Sequence, residues 1–114
     1  MTIEEFFVDY LNDAQLGAAA HGSVPHPLPD SFITVEKSGE TVTNLIPTAT
    51  LLVQSWSTSR AAAAALCVDV ITAMLASPGR AEISSCALTA SYNNTDLATH
   101  KPRYAARFEV VYLI

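Results

Sequence analysis

The last twelve residues alternate more cleanly than any other part of the sequence. Tyr104, Ala106, Phe108, Val110, Tyr112 and Ile114 interleave with Ala105, Arg107, Glu109, Val111 and Leu113. A period of two puts the first set on one face of a strand. The second set is polar at its start and apolar at Val111 and Leu113. A strand with one apolar face needs partner strands and a covering layer, so the chain has to build a covered sheet.

The other elements fit that requirement. Thr2 and Glu5 make a T-x-x-E capping box. Ile3, Phe6, Phe7, Tyr10, Leu11 and Ala14 then recur at helical spacing, with Gly17 or the Ala18–Gly22 stretch expected to end the helix. Residues 21–30 hold three alternating prolines and read as an extended connector within one domain. Phe32–Lys37 is the first strand, with Ser38-Gly39-Glu40 as its turn. Thr48–Trp56 is the second, apolar on both faces and therefore central. Ser57, Thr58 and Ser59 offer caps for a helix over 59–76, stopped by Ser77-Pro78-Gly79. Ala81–Tyr92 and Arg103–Ile114 are the remaining strands. The expected fold is a single α+β domain over residues 1–114: a four-stranded antiparallel sheet with two packed helices, in the order α-β-β-α-β-β.

Composition narrows the function classes. Half of the 114 residues are hydrophobic and 15 % are charged, which excludes a disordered chain. The longest apolar run, Ala61–Val68, is too short for a bilayer. Glu4, Glu5, Asp9 and Asp13 sit where a signal peptide would be basic and then apolar, so a soluble intracellular domain with no membrane partner is expected. Cys67 and Cys86 read as buried thiols of a reduced compartment, with a disulfide left open. The net charge of -5 is unevenly placed. Residues 1–40 carry seven acids against Lys37, while 41–114 carry four acids against Arg60, Arg80, Lys101, Arg103 and Arg107. No basic cluster matches a row of phosphates, which argues against specific nucleic-acid binding.

Catalytic patterns are weak. His21, His26 and His100 lack metal-ligand spacing, so neither metal nor cofactor is expected. Cys67 or Cys86 with His100 and Asp96 makes a nucleophilic set only on paper, because both thiols fall in apolar regular structure. There is no G-x-S-x-G turn and no Gly-rich phosphate loop. Trp56 is expected to pack the second helix onto the sheet.

Three stretches together resemble a known family. They are Phe32-Ile-Thr-Val-Glu-Lys-Ser-Gly39, Leu52-Val-Gln-Ser-Trp-Ser-Thr-Ser-Arg-Ala-Ala-Ala-Ala-Ala-Leu66, and Lys101-Pro-Arg-Tyr104 leading into Phe108-Glu-Val-Val-Tyr-Leu113. This pattern is similar to the tail terminator and tail-completion proteins of long-tailed bacteriophages and prophages, over about residues 30–114. Ser38-Gly39-Glu40 departs from it where relatives often carry two glycines, and the proline connector has no counterpart.

The resemblance implies a structural, non-enzymatic virion protein, assembled in the host cytoplasm. Copies would form a ring, usually a hexamer, on the head-proximal end of the tail tube. The ring would stop polymerisation, meet the tail tube protein on one side and the head-completion or connector protein on the other, and let DNA pass without specific binding. The expected interface residues are Arg60 and Asp69 on the second helix and Asp96, Lys101 and Arg103 in the loop at 93–103. Asp30, Glu36 and Glu40 are the expected acidic partners of Arg60, Lys101 and Arg103. Reversing Arg103 to Glu is expected to weaken assembly but not folding. The nearest alternative is a head–tail adaptor of the neck, and a more distant one is a small α+β enzyme or ligand-binding domain.

Overall fold

In a computed structural model, residues 1–113 are described. The chain forms α1 (Ile3–Asp13), β1 (Ala19–His21), β2 (Phe32–Thr43), β3 (Ile46–Trp56), α2 (Arg60–Leu75), a 3-10 turn (Ser77–Gly79), β4 (Ile83–Asn93) and β5 (Arg103–Tyr112). The expected core position Ile114 lies outside the described residues.

The fold is α+β with two helices, and the sheet corrects the sequence reading. It has five strands in the order β1-β2-β3-β5-β4. β1 pairs parallel to β2, and every other neighbour is antiparallel. The extra strand comes from the alanines expected to close the first helix. Gln15 and Gly17 take left-handed conformations (φ 53° and 84°), so the helix ends early and the chain turns into Ala19–His21. The proline connector then carries the chain back, as a parallel pairing requires. Three residues without alternation give no period-two signal, which is why β1 was not legible.

The first hairpin is also longer than expected. Ser38-Gly39-Glu40 is not a turn. β2 runs through it with a bulge between Lys37 and Gly39, where Ser38 Oγ donates to the Thr50 carbonyl at 3.3 Å. The reversal falls at Asn44 and Leu45, both left-handed (φ 52° and 65°) in a two-residue turn. Asn tolerates that conformation; a Leu there, 90 % exposed, is a poor turn signal.

The helix caps form as the sequence indicates. Glu5 N donates to Thr2 Oγ1, and Ala62 N donates to Ser59 Oγ. Both helices cover one face of the sheet. The main core joins Ile3, Phe7 and Leu11 of α1 and Val70 and Met74 of α2 to Ile33, Val35, Leu51, Val53, Phe108 and Val110.

Candidate functional site

The loop between β4 and β5 is held from several sides. Asn94 N donates to the Arg103 carbonyl at 2.8 Å, and Asp96 N to the Lys101 carbonyl at 3.1 Å. Asp96 accepts from Thr99 Oγ1 at 2.6 Å and from Ala98 N at 3.3 Å. These bonds, Thr99 first, hold its carboxyl below the usual carboxylate range. Lys101 Nζ donates to the Asp30 carbonyl at 2.9 Å, and Asn94 Nδ2 to Gln54 Oε1 at 3.1 Å. Leu97 at the tip is 86 % exposed.

At the root of this loop lies a second, smaller core on the face away from the helices. Trp56 is buried there, not against α2: its neighbour Ser55 points to the helix side, and Trp56 points the other way. Its ring stacks on Phe32 (centroids 4.9 Å apart), and its Nε1 donates to Thr34 Oγ1 at 3.2 Å. The Arg103 guanidinium lies 4.7 Å above the indole, and Arg103 Nε donates to the Asn94 carbonyl at 2.6 Å. Cation–π attraction and a charge-assisted hydrogen bond thus hold Arg103 within its own chain.

The residues singled out from the sequence fall in three places. Asp30, Asp96, Lys101 and Arg103 come together at the loop end of the sheet, and Lys101 meets the Asp30 main chain, not its carboxylate. Glu36 and Glu40 lie on β2, where Glu40 pairs with Lys37 at 3.8 Å and accepts a short hydrogen bond from Tyr112 Oη. Partial burial, together with the Glu40 carboxylate, pushes the Tyr112 phenol up to about 12. Arg60 and Asp69 are exposed on α2.

The chemistry available is limited. Burial pushes both thiols up, with the Ser91 and Ser55 hydroxyls opposing it at Cys67 and Ser77 opposing it at Cys86. Neither thiol is in a disulfide. Among the described residues no cluster of three His, Cys, Asp or Glu side chains is placed to hold a metal. A depression of about 470 Å³ is an open dish on the bare sheet face, lined by Ser38, Gly39, Thr50, Thr89, Arg107 and Glu109. It holds one cation and one anion and no nucleophile backed by a base.

The outer face of α2 is the most unusual surface. Arg60–Gly79 is long and apolar enough to cross a membrane by length and composition, yet only 33 % of that stretch is buried. Its inner face packs on the sheet through Ala63, Leu66, Cys67, Val70 and Met74. Val68 (61 % exposed) and Leu75 (45 %) stand on the outside among alanines. Apolar residues without periodicity leave no mark in the sequence of which side of the helix is bare. No protein-family model matches the chain, and no curated protein matches it.

Proposed function

We propose that this chain is a structural virion protein, a phage tail terminator that forms a ring on the head-proximal end of the tail tube. The observation that carries the reading is the uncovered apolar face of α2, a surface with no catalytic use and a clear use in assembly. The resemblance of residues 30–114 supplies the class of assembly, and the α+β fold agrees with it. The two ends of the sheet add support. Leu45 at one hairpin tip and Leu97 at the opposite loop are nearly bare, which suits a body contacted from both ends. In this reading Arg60, Asp69 and the loop with Asp96 and Lys101 face neighbouring subunits, Arg103 bracing that loop from within its own chain, and Asp30 and Glu36 supply opposite charge. The tube protein and the head connector are the axial partners.

Deleting the gene from its phage or prophage and imaging the lysate by negative-stain electron microscopy tests this. Overlong, uncapped tubes beside unjoined heads are expected. Tails of normal length beside filled, unattached heads would move the assignment to the neck adaptor, and normal virions would overturn both.

A further inference from the structure

Two apolar surfaces of this chain lack a cover, and they differ in shape. The first is the far end of the β2–β3 hairpin. Among the described residues β5 pairs with β3 no further than Thr48, and β1 covers only Phe32–Thr34 of β2. The pairs Val42–Pro47 and Thr43–Ile46 therefore stand past the rest of the sheet as a two-stranded arm. Such a ribbon is marginal in water unless something packs on it. Its side chains are not those of a solvated ribbon: Val42, Leu45 and Ile46 are 61, 90 and 44 % exposed. The tip is the strongest sign. Leu45 takes a left-handed conformation (φ 65°), where a two-residue turn favours glycine. A leucine there weakens the turn and buries almost nothing in its own chain, so its use lies outside that chain.

The second surface is the outward stripe of α2. Val68, Thr72 and Leu75 follow one another at i, i+4 and i+7 and so share one side. Thr72 Oγ1 donates to the Val68 carbonyl at 3.0 Å, which ties the hydroxyl to the helix and leaves the methyl as the outward group. At about 100° per residue, Asp69 falls on one border of this stripe and Arg60 on the other, one turn before it begins to fill.

We infer that the β2–β3 arm of one copy lies along the α2 stripe of the next. The inference rests on the ring reading, whose bare helix face it fills, and it makes a neighbouring copy the contact at the hairpin end of the sheet. Three observations select this occupant. An arm and a stripe at separate places on one chain satisfy each other head to tail, the arrangement that closes into a ring. The spacings agree: Val42 and Leu45 are about 10 Å apart along the arm, and Val68 and Leu75 about 10 Å apart along the helix. The charges agree in the same register. With Val42 on Val68 and Leu45 on Leu75, Glu36 falls beyond Arg60 by roughly 8 Å, on the side toward which a helical side chain leans. An extended arginine and glutamate together span that gap. Neither has an ion-pair partner in its own chain among the described residues.

Cysteine cross-linking of the full chain tests the contact. Chains carrying Leu45→Cys, mixed with chains carrying Leu75→Cys and oxidised, should give a linked product of twice the 12.2 kDa chain mass. Neither variant should give it alone. Light scattering over a dilution series should show assembly weakened about a hundredfold by Leu45→Asp. Leu45→Gly keeps the test clear of folding: glycine relieves the left-handed position, so the denaturant midpoint should rise while assembly weakens about tenfold. No mixed product at the highest soluble concentration would overturn the inference. So would a product from Leu45→Cys alone, which would bring two tips together, or assembly indifferent to Leu45→Asp. Tail morphology is read separately. Overlong tubes on gene deletion without the mixed cross-link would keep the terminator and remove this contact. The cross-link beside normal virions would keep the contact and remove the terminator.

Discussion

The two faces of the sheet solve the same problem by different means. The face under the helices is covered by whole elements, and its core is built mainly of aliphatic and aromatic side chains. The opposite face has no covering helix. It buries Phe32, Trp56 and Ala105 at one end only, using a guanidinium and a structured loop as the lid. The first face derives its stability from apolar area, and the second from a few directional contacts around one indole. Damage should therefore differ in size and in kind between them.

The largest effect belongs to the covered face. Phe108 is fully buried in the middle of β5, in the main core. Phe108→Ala should destabilise the chain by about 3–5 kcal/mol, read as a lower denaturant midpoint. A loss under about 1 kcal/mol would mean that this face is not close-packed.

Arg103→Glu is the matching test on the other face. The sequence reading treats Arg103 as an assembly residue whose reversal spares folding. Its contacts with Trp56 and Asn94 point to a folding cost. The variant loses both contacts and sets a carboxylate against the negative face of the indole. About 2 kcal/mol should be lost, with a red shift in the fluorescence of the single tryptophan. Unchanged stability and emission would return Arg103 to a purely intermolecular role.

What was legible follows the same division. α1, α2 and β5 carry long periodic patterns and caps, and they appear within a few residues of the expected bounds. β1 has three residues and owes its pairing to Asn12 and to the returning connector, both tertiary effects. The bulge at Ser38 reads as a turn because Ser-Gly is common to both, and only the partner strand decides. The side of the sheet taken by Trp56 depends on strand register, where a shift of one residue exchanges the faces. The Arg103–Trp56 stack joins positions far apart in sequence and leaves no local signal. The apolar surface of α2 left no periodic signal in the sequence. Which flank is bare depends on where α1 docks.

The smallest effect tests the far end of the covered face, where Tyr112 reaches past the core to Glu40. Burial and the carboxylate favour the protonated phenol, so its folded value of about 12 lies above the ordinary 10.0. The sign follows from proton counting. Between these values the folded chain holds a proton that the unfolded chain has lost, so stability falls as the pH rises. The contribution is complete below about pH 10 and disappears as the pH passes 12. Tyr112 is only half-buried, and screening by solvent keeps the effect small. Tyr112→Phe should remove the latest component of the tyrosinate absorbance rise and flatten stability over that window. It should leave the Trp56 emission untouched, because the indole lies at the opposite end of the sheet on the opposite face. A tyrosinate titration unchanged by the substitution would place the late-ionising phenol elsewhere and dissolve the Glu40–Tyr112 contact as its cause.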